Sequence, residues 1–440
     1  MMNIVGIFVL LQIVFVYADD GWFWHVTDFH YDPTYLDNAI SCETNASERG
    51  MFGYNWCDSP WKLITSSIDA MHENKADVDF IIWTGDSTPH VKDNVTSHEI
   101  YRNIISNITA ALKTKFNSNS TPVYAVFGNH DYYPAHQFPP NNNLMYNEIY
   151  EDWKDWIQDP TQKQNFQRGA YYTLKTKTGI RIMALNTNMY YRSDKISMKY
   201  RYSDPADQFQ WMADTLQYAK DNNEKVIIIS HVPPGIIPEE LKPWMYEQFN
   251  YRFNEIILEY SDVITGLYFG HEHVDTFRIY YKSDSPVLVK LCAPSVTPWT
   301  YIRPNGEAEP TRNPGIRLVR YDRSNGLPKE IKQYYLDLKN SNTNKHANWT
   351  VEYTMPRDYN MNDLSAQSFD GLVKKMRAHN SAEFADYALR RYIGGSKEDK
   401  RVNSCVSNTC KVSYICAIEK PDLREFMSCF SQSSIPVGRK

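Results

Sequence analysis

The chain has 440 residues, 42% hydrophobic and 22% charged, with a formal net charge of −5. These values are ordinary for globular proteins and exclude disordered, collagen-like and coiled-coil chains. The mildly acidic balance argues against a nucleic acid polymer as the main partner, because phosphate backbones call for a basic face.

Residues 1–18 read as a signal peptide. Ile4 to Val16 is apolar except at Gly6 and Gln12, too short to cross a membrane, and ends at Val16-Tyr17-Ala18 before the expected cleavage point. The polar, basic stretch Ser434 to Lys440 has no lipid-attachment pattern, so no stable membrane anchor is expected. The mature protein is expected outside the cell, with the lysosome as a second destination. Export makes the seven cysteines readable as disulfides. Cys42 and Cys57 can close an early loop. Cys405, Cys410, Cys416 and Cys429 allow three pairings, of which Cys405–Cys410 with Cys416–Cys429 is favoured, leaving Cys292 as a buried free thiol. Asn45, Asn94, Asn107 and Asn348 open Asn-x-Ser/Thr acceptors for N-glycans.

Beyond the signal, short apolar runs alternate with helical stretches, the pattern of an α/β fold. One helix is expected from Ser59-Pro60 to about Glu73, a second from Asp204-Pro205 through Leu216, and a third over roughly Trp244 to Tyr260. Strands are expected near Ile279, Val287 and Leu318. Asn340-Ser341-Asn342-Thr343-Asn344 reads as a linker, and residues 360–430 as helical with the clustered cysteines.

The chemistry-bearing residues stand at the strand ends. Trp22–Thr27 delivers Asp28-Phe29-His30, Phe80–Thr84 delivers Gly85-Asp86, and Val123–Phe127 delivers Gly128-Asn129-His130-Asp131. Val226–Ser230 delivers His231, and Thr265–Phe269 delivers Gly270-His271-Glu272-His273. Functional groups collect at the carboxyl ends of strands in such sheets, so these sets can converge on one edge. Imidazoles and carboxylates without cysteine suit zinc or similar divalent ions. Two ions need a bridging ligand, for which the Asp86 carboxylate is the choice. Six of the 12 histidines fall within or beside these motifs: His30, His90, His130, His231, His271 and His273. A lone histidine is more often a core or surface residue than a ligand, but this ordered series is specific.

The series resembles that of the calcineurin-like metallophosphoesterases. Asp28-Phe29-His30 with Asp32-Pro33-x-Tyr35, Trp83-Thr84-Gly85-Asp86-Ser87-x-Pro89-His90 and Gly128-Asn129-His130-Asp131 are similar to the acid sphingomyelinase-like phosphodiesterases among them. Asn186-Thr187-Asn188, His231-Val232-Pro233, Ala293-Pro294-Ser295-Val296-Thr297-Pro298, Asn313-Pro314-Gly315-Ile316-Arg317 and the cysteine cluster extend the likeness over nearly the whole mature chain. The resemblance implies a β-sandwich flanked by helices, in four α/β/β/α layers, followed by a helical C-terminal subdomain. The expected division is a catalytic domain over 19–340 and a disulfide-containing subdomain over 341–440. It further implies two zinc ions. Asp28, His30 and His273 would hold one, Asn129, His231 and His271 the other, with Asp86 shared. Glu272, in the variable place of Gly-His-x-His, is not expected to affect ligation. Purple acid phosphatases carry a ligating Tyr three residues after the Gly-Asp aspartate, where this chain has Pro89.

The implied reaction is in-line attack on phosphorus by a hydroxide bridging the two ions, with His90 and His130 assisting the leaving group and Asp131 orienting His130. The mature chain starts almost directly on its first strand and has no saposin domain to lift a lipid from a bilayer. Soluble phosphodiesters and phosphoanhydrides, such as ATP or CDP-choline-like molecules, are therefore the expected substrates, with sphingomyelin the alternative. A non-catalytic secreted binding protein should have lost at least one ligand, and none is lost.

Overall fold

Fourteen strands form two six-stranded sheets and one small ribbon in the computed structural model, which describes residues 20–37, 40–42, 49–303, 306–394, 405 and 408–434. The expected signal peptide and Asn45 lie outside these residues. The first sheet contains β1 (Asp20–Val26), β2 (Phe80–Trp83), β3 (Val123–Ala125), β12 (Gly315–Asp322), β13 (Pro328–Leu336) and β14 (Trp349–Met355), in the order β14-β13-β12-β1-β2-β3. The second contains β4 (Tyr172–Lys175), β5 (Arg181–Ala184), β6 (Val226–Ile229), β9 (Ile264–Phe269), β10 (Thr276–Lys282) and β11 (Ser285–Cys292), in the order β10-β11-β9-β6-β5-β4. β7 (Ile236–Ile237) and β8 (Lys242–Pro243) make the ribbon.

The central strands are apolar on both faces because both faces are covered. In β1, the Phe23 ring meets Tyr268 of β9 edge-on at 5.3 Å, while Trp24 turns outward and its indole N–H donates to the Lys75 carbonyl at 3.0 Å. At the far side of the interface, the buried Tyr172 hydroxyl donates to the Ala125 carbonyl and accepts from the Ala125 N–H. Helices Trp61–Lys75 and His98–Lys115 connect parallel strands β1-β2-β3. Gln208–Asp221 and Glu247–Glu259 connect parallel strands β5-β6-β9. A strand–helix–strand unit returns each strand in the same direction, so the carboxyl ends of β1, β2, β3, β6 and β9 share one edge.

Three helix starts differ from expectation. Ser59 is not a cap: its N–H donates to the His30 carbonyl and its carbonyl accepts from Asp32, so the helix begins at Trp61. Asp204 does cap, accepting from Phe209 and Gln210, but Ala206 and Asp207 take left-handed φ values and delay the helix to Gln208. Trp244 pairs its N–H with the Gly235 carbonyl beside the ribbon, and the third helix starts at Glu247.

The expected linker at 340–344 is helical, within Leu338–Asn344, because Asp337 caps it and Asn342 bonds the backbone of Phe52 and Gly53. β14 then completes the edge of the first sheet. Helices Ala366–Met376, Ala382–Arg390, Asn408–Glu419 and Leu423–Ser434 follow. Disulfides join Cys42–Cys57, Cys405–Cys410 and Cys416–Cys429, and Cys292 is a buried free thiol. No helix among the described residues is long and apolar enough to cross a membrane.

Glu352 of β14 accepts from the Gly394 N–H through one oxygen, while its other oxygen is buried without a partner. Burial pushes its carboxyl up to about 8, with nearby Asp275 adding to the rise. A folded-state value above the unfolded one means that the unfolded chain loses this proton first as pH rises. Stability from this group is therefore full below about pH 4.5 and lost as pH climbs toward 8. Glu352→Gln keeps the bond to Gly394 and has no charge to bury. We expect it to unfold at higher urea than the parent at pH 8, by about 1–3 kcal/mol, and to match the parent near pH 4.5.

Candidate metal centre

The five strand-end loops meet at the shared edge, and they meet through backbone. The Asp28 N–H donates to the Gly85 carbonyl at 2.8 Å and the His30 N–H to the Asp86 carbonyl at 3.0 Å. A Cβ on Gly85 would lie 2.2 Å from the Gly128 nitrogen, so both positions exclude a side chain. Asp28, His30, Asp86, His271 and His273 have φ values of 53°, 43°, 60°, 70° and 55°. Such left-handed conformations are uncommon outside glycine and collect where geometry serves function. Here they turn five polar side chains inward.

Asp131 holds the junction. Its carboxylate accepts from the backbone N–H of Asp86, Ser87, Thr88 and Gly128, at 2.7–3.3 Å. The expected orientation of His130 by Asp131 is therefore not found, because both oxygens are engaged by the loops; the Nδ1 of His130 is buried without a partner.

The seven expected ligands come together. The His30 Nδ1–H donates to the Thr88 carbonyl at 2.7 Å, which leaves Nε2 facing Asp86 Oδ2 at 3.4 Å and Asp28 Oδ1 at 3.7 Å. His273 Nε2 lies 3.3 Å from Asp28 Oδ1 and 3.1 Å from His30 Nε2. Across Asp86, the His231 Nδ1–H donates to the Thr84 carbonyl at 2.6 Å, and Nε2 sits 2.9 Å from Asn129 Oδ1 and 3.2 Å from Asp86 Oδ2. His271 completes a group with Asp86 and His231. Carbonyl acceptors at Nδ1 set the tautomer that frees Nε2 as a ligand atom.

Six of the seven are buried; His271 is partly exposed. Burial works against the charged form of His30, but Asp86, Asp28 and Asp58 outweigh it and lift the imidazole to about 9. His231 rises likewise to about 9, driven by Asp86. Burial also raises Asp28, yet His273 and His30 overcome it and hold its carboxyl well below the usual range. The carboxylates thus retain positive charge around themselves. Asp28 Oδ1 and His271 Nε2 remain buried with no hydrogen-bond partner. Two imidazole nitrogens 3.1 Å apart require a proton or a cation between them, so the donor set fits divalent metal ions.

His90 stands beside this cluster, a ring nitrogen within 4.8 Å of ring nitrogens of His30 and His273. Its ring stacks between His30, at 4.0 Å, and Trp299, at 3.8 Å. Its Nδ1–H donates to Asp58 at 2.9 Å, and its backbone N–H donates to the same carboxylate at 2.6 Å. Burial pushes the Asp58 carboxyl up to about 6, against the pull of His30. Burial and neighbouring His30 hold His90 well below the usual imidazole range. The His130 ring is 4.5 Å from the His90 ring.

Sequence reasoning missed Asp58, Trp299 and His136. Asp58 precedes Ser59-Pro60, which read only as a helix start. His136 accepts from the Asn129 side-chain N–H at 3.0 Å and so aims the amide oxygen at His231. Tyr191 and Trp244 flank His271 with rings at 4.8 and 4.4 Å.

Residues 21–275 match the family described as Calcineurin-like phosphoesterase, and residues 285–436 match the Acid sphingomyelin phosphodiesterase C-terminal region. The chain belongs to the calcineurin-like phosphoesterases and, within them, to the acid sphingomyelinase-like phosphodiesterases. It is a phosphoric diester hydrolase. A relative in Homo sapiens, "Cyclic GMP-AMP phosphodiesterase SMPDL3A", is 36% identical over 94% of this chain and 90% of its own length. The Mus musculus "Acid sphingomyelinase-like phosphodiesterase 3b" is 34% identical over 94% and 90%. Among solved structures, a dimetal phosphatase from Danio rerio is similar at 13% identity over 72% of this chain and 95% of its own, with a TM-score of 0.43.

Asp131→Ala would leave four buried backbone N–H groups without an acceptor. At about 1–3 kcal/mol for each such group, we expect several kcal/mol of lost stability, read as a lower melting temperature. Asp131→Asn keeps one acceptor oxygen and should lose less.

Proposed function

We propose that this phosphodiesterase carries two zinc ions and hydrolyses soluble phosphodiesters and phosphoanhydrides. The observation that supports it best is the convergence of Asp28, His30, His273, Asn129, His231 and His271 around Asp86. In this reading Asp28, His30 and His273 hold one ion, Asn129, His231 and His271 the other, and Asp86 both. Bound there, the ions would polarise the phosphoryl oxygens and lower the pKa of an attacking water.

The chain's own residues do the rest. Thr88 and Thr84 carbonyls fix the His30 and His231 rings. Asp58 orients His90 through Nδ1, and His90 is the group we assign to assisting the leaving oxygen. His130, next to ligand Asn129, is the second candidate for that role. Trp299 on one side and Tyr191 with Trp244 on the other bound the cleft with flat apolar surfaces. Such surfaces suit the base of a nucleotide, ATP, a CDP-choline-like molecule or a cyclic dinucleotide such as the one in the human relative's name. Sphingomyelin is the second reading, favoured by the match of residues 285–436 to a sphingomyelin phosphodiesterase region. The protein would act after secretion or in the lysosome. Asn94, Asn107 and Asn348 are exposed, as glycan acceptors must be, and Asn45 is the fourth proposed acceptor.

Turnover of ATP, CDP-choline, cyclic GMP-AMP and sphingomyelin vesicles with zinc at pH 5 and pH 7 tests the substrate reading. We expect the soluble compounds to be cleaved; activity confined to vesicles would overturn it. Exhaustive chelation or Asp86→Ala should abolish hydrolysis, and full activity without metal would remove the two-ion reading.

His90→Ala should keep its metal while turnover falls by about 10²–10⁴. Asp58→Asn removes the carboxylate that orients the His90 ring, so kcat should fall while bound zinc stays at the parental level. A parental kcat would remove Asp58 from the pair.

A further inference from the structure

Glu272 points away from the metal centre. Its neighbours His271 and His273 have left-handed φ values and face Asp86 and Asp28, while the Glu272 side chain turns back into the protein. Its carboxylate is 2% exposed and lies 3.1 Å from the Arg278 guanidinium of β10 and 3.8 Å from that of Arg391, which follows helix Ala382–Arg390. Arg278 also donates to the Ile236 carbonyl at 3.4 Å, in the segment that continues from His231. Arg391 touches the ligand loop a second time, since its carbonyl accepts from the Asp275 N–H at 2.9 Å. Arg391 is in turn held 3.3 Å from Glu239, which accepts a bond from the Tyr414 hydroxyl of helix Asn408–Glu419.

A fully buried ion pair adds little to stability over an apolar pair of the same size, but breaking one side leaves a charge stranded. It fixes position instead. From these contacts we infer that Glu272, Arg278 and Arg391 form a positioning set that locks the loops bearing His231, His271 and His273 from behind. The helical end of the chain thereby becomes part of the metal centre's scaffold without contributing a ligand.

This inference rests on the metal reading above, and the test separates the two. Zinc affinity of the metal-depleted mature chain is measured by competition with a chromophoric chelator, alongside near-ultraviolet circular dichroism. Glu272→Gln and Arg391→Met are each expected to weaken at least one zinc by about 10–100-fold, the usual effect of removing a group that orients ligands. Arg391→Lys, which keeps the charge, should recover part of that loss. The double variant should lose less than the two single losses combined, because both remove the Glu272–Arg391 contact. Glu272→Gln changes a charge without changing volume and keeps the test open if Arg391→Met does not fold. Folded Glu272→Gln with parental zinc affinity would overturn the positioning role. A parent that binds no zinc would instead overturn the metal reading.

Discussion

Two carboxylates, Asp28 and Asp86, are buried where the strand ends meet, within reach of four imidazoles, and the fold around them is arranged to make that burial tolerable. A carboxylate removed from water needs a positive or hydrogen-bonding partner for each oxygen. Asp28 Oδ2 accepts from the Thr27 hydroxyl and the His271 N–H, while Oδ1 faces only His30 and His273. Asp86 Oδ1 accepts from the His130 N–H, while Oδ2 faces His30 and His231. Each carboxylate therefore gives one oxygen to the protein scaffold and keeps one for the cleft. That division is what a ligand to a cation requires, and it explains why the loops are held so closely at the backbone level.

The parallel strands carry this constraint into the fold. Only strands running the same way can present their carboxyl ends together, and β1, β2 and β3 of one sheet meet β6 and β9 of the other at that edge. The loops then have almost no room. Gly85 and Gly128 stand with backbone against backbone, and Asp131 gathers the N–H groups that this proximity would otherwise strand. Asp131, two residues beyond Asn129, is thus structural, although its position in Gly-Asn-His-Asp suggested chemistry.

Much of this was legible in the sequence because strand-end motifs are local. An apolar run that stops at Asp-x-His or Gly-His-x-His marks its own candidate ligands, and the parallel α/β reading brings them to a common edge. What was not legible depends on distant partners. Asp58 has meaning only where His90 lies against it, 32 residues on. Asn340–Asn344 reads as a linker until Asn342 is seen to bond the turn at Phe52 and Gly53, 290 residues away for Phe52. Glu272 occupies the variable position of its motif, and nothing within that motif announces Arg278 or Arg391. Net charge, a sum over the surface, locates none of these buried groups.

The division of the chain into two matched regions does not divide the active site. His90 and Asp58 belong to residues 21–275, but the ring that covers His90, Trp299, belongs to residues 285–436. Thr297 from the same later region reaches back to Asp58 at 3.3 Å. The Asp58 carboxylate is buried partly by this second region, and burial is the main cause of its raised pKa. The His90–Asp58 contact is therefore assembled by long-range packing, whereas the buried Asp/His cluster is assembled by strand ends. Trp299 lies far along the chain from the strand-end motifs, so the cleft wall beside His90 and the buried Asp/His cluster are built by separate segments.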